Sequence, residues 1–347
     1  MKAVFLVGGM GTRLRPLTNK LPKPMVPVMG RPLLERNIEK LKQHGIGEII
    51  LCTCYRPESF EEYFDQFDFG IQIRYVQEDE PLGTGGAIKN AQQYLENDTC
   101  LVFNADIVND IDFGKMLRFH KRKHADATIA SVYVDDPTPY GVIECDENSD
   151  VISFTEKPKP HEIVSNYINA GVYIFEPDIF KMIPSSRVVS IEREIFPKLL
   201  EKGKRVAAYK GCTYWLDLGT PKKYMRLHRD IFDGKYAVGD ADFAAEPILG
   251  LMEAKIHESA VLRGPVWLGE GVRIKAGAIV GPNAVVGANC VVGKKSAIEN
   301  SVLWNNVELA RNNRVSGSVI TADCSVEDGL RIIKSVYTGE AQKRLSV

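Results

Sequence analysis

The C-terminal part of the chain is written in sixes. Ile256, Leu262, Leu268, Ile274, Val280, Val286, Val292 and Ile298 are eight aliphatic residues spaced six apart, and Gly269, Gly281, Gly287 and Gly293 each follow one residue later. Val272, Ala278, Ala284, Cys290, Ser296 and Val302 form a second small or apolar row at the same interval. Neither the 3.6-residue period of a helix nor the two-residue period of a strand produces a six. A parallel β-helix does, with three short strands per coil and one aliphatic side chain pointing inward from each side. The frame slips near Trp304 and resumes as Leu303, Leu309, Val315 and then Ile320, Val326, Ile332, so the coils are expected to run almost to the end of the 347 residues.

The other end of the chain follows different rules. "VFLVGGMGTRLRPLTNKLPKPM", Val4 to Met25, is an apolar strand run, then a glycine-rich turn, then Arg13, Arg15, Lys20 and Lys23 among prolines. Glycines let backbone approach a ligand, and successive N–H groups in a tight turn attract anions, so phosphate is the expected ligand. Neither the P-loop nor the dinucleotide fingerprint fits, the latter because Leu14 stands where its third glycine belongs.

Strands and helices then alternate. "GRPLLERNIEKLKQHG" predicts a helix with Pro32 in its first turn and Gly45 beyond its end; "EIILCTC", "IQIRYV" and "TCLVFN" predict strands, separated by helices in "PESFEEYFDQF" and "TGGAIKNAQQYLEN". This pattern calls for a mostly parallel sheet with helices on both faces, in which ligands sit beyond the carboxyl ends of the strands. The glycine turn and Asp106, which follows "CLVF", should therefore share one crevice. "DATIASVYV", "GVIECD", "VISFTE" and "INAGVYIF" read as further strands, "SIEREIFPKLL" as a helix capped by Ser190, and "TPKKYMRLHRDIFDG" as a closing helix from Thr220 to Gly234. The expected domains are thus 1–234, a linker over 235–252, and the repeats over 253–347.

A formal net charge of −1 with 26% charged residues gives no sign of a nucleic-acid or membrane partner. No apolar run reaches the length of a membrane helix, and the expectation is a cytoplasmic protein. Seven scattered cysteines lack zinc spacing and read as free thiols.

With these parts in place the chain resembles the sugar-1-phosphate nucleotidyltransferases, most closely their mannose-1-phosphate guanylyltransferase branch. The resemblance rests on "GGMGTRLRPLT" with "PKPM", "EPLGTGGA", "FNADIV", "YGVIECD", "FTEKPKP", "SNYINAGVYIF", "SIEREIFP" and "YWLDLGTPKKY", in that order and followed by the hexapeptide repeats. It implies a Rossmann-like catalytic domain, a left-handed β-helix, and transfer of a nucleotidyl group from an NTP, with GTP the first choice, to a hexose 1-phosphate. It places Leu6, Gly8, Gly9, Gly11, Thr12, Gln77, Gly83 and Thr84 on the nucleotide, Arg13 on the leaving pyrophosphate and Lys23 on the reacting phosphates. Lys157 would hold the sugar phosphate, with Gly141, Glu156, Asn169 and Gly171 around the sugar, and Asp106 and Asp217 would bind Mg²⁺. Amide and backbone groups at Gln77 and Gly83 pair with guanine, uracil or thymine alike, so the base stays open between guanylyl and uridylyl or thymidylyl transfer. Ala105 departs from the Gly or Ser usual before the metal aspartate, which bears on substrate identity.

Two other readings are weighed. A regulatory homologue would keep the fold and lose the charges, but Arg13, Lys23, Asp106, Lys157 and Asp217 are all present. An acyltransferase would need a base in the repeats, where His257 is the only histidine. A solenoid must also cap its apolar ends, so a homo-oligomer built through the C-terminal domain is expected, with Trp267, Val291 and Trp304 as candidate surface residues.

Overall fold

The computed structural model describes residues 1–95, 98–185, 187–239, 241–339 and 341–345. Glu96 and Asn97 at the tail of one expected helix, Asp240 in the expected linker, and Glu340, Ser346 and Val347 in the repeat region lie outside the described residues. The chain forms two compact units. The first comprises Met1–Met10, Pro22–Pro24 and Asn37–Asp217; the second comprises Gly11–Leu21, Met25–Arg36 and Leu218–Val347.

The first unit is built on a nine-stranded mixed sheet. Its opening half is parallel: β1 (Lys2–Leu6) lies between β2 (Glu48–Thr53) and β4 (Cys100–Asn104), and β3 (Gln72–Gln77) adds outside β2. β1, β2 and β4 are runs of mostly buried apolar residues, as strands covered on both faces require, whereas β3 at the edge buries only Val76 fully. A short β5 (Ile107–Asn109) follows, and the chain then returns as β6 (Ala127–Tyr133), β7 (Gly141–Cys145), β8 (Val151–Glu156) and β9 (Tyr167–Phe175). β9 runs antiparallel to β4, β6 and β7 and joins the halves, and β10 (Val206–Tyr209) pairs parallel with β6. Beside this sheet, β11 (Trp215–Asp217) pairs antiparallel with β5.

Helices α2 (Glu58–Phe64), α3 (Gly83–Asn90), α4 (Phe113–Lys123), α5 (Asp178–Met182) and α6 (Phe196–Glu201) complete the first unit, as α/β alternation anticipates. α1 (Leu33–Lys42) begins one residue after Pro32, whose neighbour Arg31 and itself pair instead with Pro27 and Val28. The segment expected to be one helix from Ser190 opens as a π-helical turn, Ile191–Ile195, before α6. Ser190 caps it as expected, accepting from the Arg193 N–H at 3.2 Å.

In the second unit the sixes become three parallel sheets of two- and three-residue strands, consistent with a β-helix. Leu268, Ile274, Val280, Val286, Val292 and Ile298 are buried, while Ile256 and Leu262 at the start are half-buried. The frame slip has a geometric cause. Partners in successive coils are 18 residues apart early on, as between Ser259 and Gly277, and 17 apart later, as between Ser301 and Ser318. The shortening falls at one corner of the coil, where Val280 is followed by Val286 but Ile298 by Leu303 and Val315 by Ile320. At the shorter corners Asn300, Gly317 and Lys334 turn the chain with φ of 47°, 57° and 47°. Ser301, Ser318 and Ser335 then follow, fully buried, and the Ser301 and Ser318 hydroxyls each accept from the N–H of the serine one coil on, at 3.1 Å.

This unit also holds α7 (Pro221–Phe232), capped by the Thr220 hydroxyl. The Tyr224 hydroxyl accepts from the Trp304 indole N–H at 3.0 Å and donates to the Pro27 carbonyl at 2.5 Å. The Trp267 ring lies so close to Gly30 that a Cβ there would sit 2.1 Å from it. Trp304 and Val291 are buried. These candidate assembly residues are therefore occupied within the chain's own second unit, because a flat aromatic on a coil surface can cover neighbouring backbone as readily as a partner.

His228 is fully enclosed beside them. Its Nδ1–H donates to the Tyr224 carbonyl at 3.0 Å and its Nε2 accepts from the Met29 N–H at 3.3 Å, an arrangement that only the neutral ring satisfies. Burial pulls its pKa down to about 4. The unfolded chain, with an ordinary histidine near ~6.5, takes up a proton between those values that the folded chain refuses. Stability is thus intact above pH ~6.5 and falls as pH drops toward 4, by up to about 3 kcal/mol from this residue. Urea unfolding of His228→Gln, less stable at pH 7, should show a shallower acid loss than the native chain; equal slopes would remove His228 from the account.

Candidate active site

Four parallel strands of the first unit end at Leu6, Thr53, Gln77 and Asn104, and the candidates Leu6, Gly8, Gly9, Gln77 and Asp106 stand at or just beyond these ends. The Ala105 N–H donates to the Leu6 carbonyl at 3.4 Å, tying the ends of β1 and β4. Gly8 leaves β1 so close to the next strand that an added Cβ would meet Cys54 Cβ at 3.1 Å, whereas at Gly9 it would meet nothing within 4 Å. The backbone there can accept a ligand at contact distance.

Lys23 is the centre of charge. Its ammonium lies 2.5 Å from Asp106 Oδ2 and 3.4 Å from Asp217 Oδ1, and it is buried, as is Asp217. Asp106 follows β4, and Asp217 is the last residue of β11, so the β5–β11 pairing brings the two carboxylates to one cation from positions distant in sequence. A buried ammonium held by two carboxylates marks a place where positive charge is stabilised. Among the described residues no group of three or more His, Cys, Asp and Glu side chains could hold a metal. A pair of hard oxygen ligands nonetheless suits Mg²⁺, which keeps waters and takes substrate phosphates to complete its shell. Ala105 is buried between Asn104 and Asp106, and Asn104 Oδ1 is a buried acceptor without a hydrogen-bond partner, an unmet polar atom one residue from that pair.

The return strands carry further candidate residues. β9 breaks register between Asn169 and Tyr173, with Gly171 at φ 74°, where an added Cβ would meet Asn104 Nδ2 and Ile107 Cγ1 at 3.1 Å each. Asn169 holds this bulge, accepting from the Gly171 N–H and donating to the Tyr173 hydroxyl, both at 2.8 Å. At Gly141 a Cβ would fall 2.5 Å from Phe154 Cζ and 2.8 Å from Glu156 Oε2, so this glycine makes room for the Phe154 ring and the Glu156 carboxyl together. Burial, and then the Glu192 charge, raise the Glu156 pKa above the usual carboxylate range, while Lys157 and Arg193 oppose that. Lys157 adopts φ 52° and is exposed, its ammonium 3.9 Å from Glu156 Oε1.

Gly83 begins α3 at φ 74°, and an added Cβ would lie 2.6 Å from the Val189 carbonyl. That carbonyl accepts from the Gly85 N–H at 2.8 Å. The Thr84 hydroxyl donates to Glu192 Oε2 at 2.7 Å and accepts from the Ile191 N–H at 2.9 Å, so it ties the "EPLGTGGA" turn to the π-helical segment. Gln77, at the exposed end of β3, accepts at its carbonyl from Asn90 Nδ2 at 3.2 Å. Glu192, Glu78 and Asn104 were not foreseen from the sequence. Glu78 is buried, accepts from the Leu82 N–H at 2.8 Å, and is raised in pKa by that burial. Asn104 and Glu192 stand inside quoted motifs and Glu78 two residues before one, and the sequence carries no other signal for them.

Gly11, Thr12 and Arg13 pack within the second unit. Gly11 has φ 57°, and its carbonyl accepts from the Leu14 N–H at 3.0 Å and the Thr18 hydroxyl at 2.8 Å, which pins the loop that presents Arg13. His257, exposed, is engaged with Ser259 in its own turn.

Residues 2–234 match the family model described as nucleotidyl transferase, and residues 253–343 match one described as GMPPB C-terminal domain. A mannose-1-phosphate guanylyltransferase of Mycobacterium tuberculosis is 40% identical over 81% of this chain and 76% of its own length. A UTP–glucose-1-phosphate uridylyltransferase of Synechocystis is 31% identical over 92% of this chain and 87% of its own. The solved structure of HddC from Yersinia pseudotuberculosis, complexed with GMP-PN, is 32% identical, covers 65% of this chain and 97% of its own, and superposes with a TM-score of 0.56. No helix among the described residues is long and apolar enough to cross a membrane. Sheet and coils accord with these matches: the chain belongs to the nucleotidyl transferase family and is a sugar-1-phosphate nucleotidyltransferase.

Proposed function

We propose that the reaction joins GTP and mannose 1-phosphate to give GDP-mannose and pyrophosphate. The observation that carries the reaction class is the Lys23 ammonium set between Asp106 and Asp217 at the strand ends. A sugar-phosphate oxygen forms the new bond to the α-phosphorus as the bond to the β-phosphate oxygen breaks, and the electron pair leaves with pyrophosphate. No covalent nucleophile is required of the protein, only alignment and charge. Gly8 and Gly9 admit the nucleotide to backbone contact, and Gln77 and Gly83 would read the base. Lys23 opposes the charge of the reacting phosphates, Arg13 that of the leaving group, and Lys157 that of the sugar phosphate. Glu156 and Asn169 address the sugar hydroxyls. Asp106 and Asp217 would hold Mg²⁺, which supplies further charge neutralisation at the phosphates when bound.

The choice of guanine rests on the relatives' names, among which a uridylyltransferase also stands. The test is a matrix of four NTPs against mannose, glucose and galactose 1-phosphates, with released pyrophosphate as readout. GTP with mannose 1-phosphate should exceed every other pair by about tenfold or more, the scale of a few well-placed contacts. Equal or greater turnover with UTP or dTTP would overturn the guanylyl assignment and leave the reaction class standing. We further infer, for the two domains divided near residues 235–252, a homo-oligomer formed through the coils in the cytoplasm. Light scattering that returned the mass of one chain at all concentrations would refute the assembly.

A further inference from the structure

The second unit contains a small cavity of about 290 Å³ with an unusual charge balance. Arg13 and Arg15 reach it from the loop after the glycine turn, Lys222 from the first turn of α7, and Lys343 and Arg344 from the C-terminal hairpin. No acidic residue is among the described residues that line it. The contrast with a wider depression in the first unit is instructive, since His120, Lys121 and Lys181 there are accompanied by Asp126, Glu176 and Asp178. Five cations brought together from three chain segments repel one another, and an arrangement of that kind is stabilised when an anion enters.

The hairpin is what completes the cluster. The strand Gln342–Arg344 runs antiparallel to Ser335–Tyr337, setting Lys343 opposite Val336 and Arg344 opposite Ser335, whereas the stacked coil strands pair in parallel. It is held by the Leu345 N–H on the Lys334 carbonyl at 2.8 Å and by Gln342 Nε2 on the Ser335 hydroxyl at 3.1 Å. The pocket also meets the positive end of the twelve-residue α7, begun by Pro221, which favours negative charge there. Its remaining walls are Pro16, Thr220, Pro221, Val336 and Leu345, with no aromatic ring to stack on a base. One phosphate carries about −1.5 to −2 charges. Two joined phosphates match this cation count better, in a space too small for a whole nucleotide.

We propose that this pocket binds a diphosphate group and that Lys343 and Arg344 of the C-terminal hairpin are ligands for it. The assignment deepens the function proposed above and rests on it in one respect: Arg13 is the residue given there to the leaving pyrophosphate. The diphosphate could be free pyrophosphate or the terminal pair of an NTP. Both would be recognised by the same contacts.

Calorimetric titration of the full chain in EDTA tests this without turnover and silences any metal-dependent site. Pyrophosphate should bind at least about tenfold more tightly than orthophosphate, and Lys343→Ala/Arg344→Ala should weaken it by at least about tenfold, two charge-assisted contacts being lost. Lys294→Ala/Lys295→Ala, which removes two exposed lysines elsewhere on the coils, should leave it unchanged. A parallel loss of GTP affinity in the hairpin variant would identify the NTP's terminal phosphates as the source; unchanged GTP affinity would identify free pyrophosphate. The proposal fails if pyrophosphate binds no better than orthophosphate, if the hairpin variant binds normally, or if both pairs of substitutions weaken binding alike. A chain that passes yet makes no nucleotide sugar keeps the pocket and loses the enzymatic reading. An active chain that fails keeps the enzyme and loses the pocket.

Discussion

Asp217→Asn is expected to lower turnover by more than ~100-fold, the scale of removing one electrostatic group from a preorganised site. The carboxylate is buried, faces the Lys23 ammonium and sits at the end of a strand whose pairing with β5 does not involve its side chain. The isosteric amide should therefore fold. It cannot neutralise a cation, so the rise in thermal midpoint expected if Mg²⁺ binds the folded native chain should shrink in parallel. Asp106→Asn should act in the same direction, its carboxylate being the more exposed of the two and the nearer to Lys23. Near-native turnover at limiting Mg²⁺ in either variant would dismiss that carboxylate as a ligand.

Removal of everything after Gly234 should be more damaging than a domain cut usually is. The loop Gly11–Leu21 and the segment Met25–Arg36 pack in the same unit as the coils. The cut would take away Trp304 from the Tyr224 hydroxyl, Trp267 from Gly30, and Phe243 from its edge contact with Phe232 at 4.8 Å. Losing three aromatic partners at once costs on the order of 3–5 kcal/mol for each large side chain removed from a core, comparable to the whole stability of a domain. Arg13 and Arg15 would then stand on an unsupported loop. The shortened chain is expected to be insoluble or, if recovered, to retain under ~1% of native turnover, by the cost of misplacing a charged group in the site. A soluble, monomeric fragment with most of its activity would show that the first 234 residues stand alone and that the coils serve assembly only.

How much of this was readable in advance depended on the range over which each feature is encoded. The inward aliphatic row from Leu268 to Ile298 and the alternation of β1 to β4 with helices are local periodicities, and both are present. Topology placed Asp106 at the strand ends, but Asp217 was joined to it through motif resemblance alone, since 110 positions separate them and only the β5–β11 ladder brings them together. Thr84 was assigned to the nucleotide; its hydroxyl is engaged by Glu192 and Ile191, a long-range tie that no periodicity could announce. Trp267 and Trp304 looked like surface because the six-residue pattern points them outward, and it carries no information on what α7 and the residues around Gly30 lay over them. The frame slip was visible as a lost beat. Its meaning, one residue fewer at a single corner, needed the coil partners.

That corner also sets a rule for how such a domain can lengthen or shorten. From Ser301 onward each buried serine must find its counterpart 17 residues away, whereas the earlier coils are in step at 18. Duplicating or deleting a segment keeps the hydroxyl column and the three inward rows aligned only when its length matches the local count, 17 in the later coils. A segment of 18 copied from the later coils would turn every following aliphatic residue one position out of phase, whereas a whole coil of the earlier kind carries its extra residue at that corner and only interrupts the hydroxyl column. The later half thus keeps its column only when it changes length in whole coils of 17, and the junction between the two counts marks where that column begins.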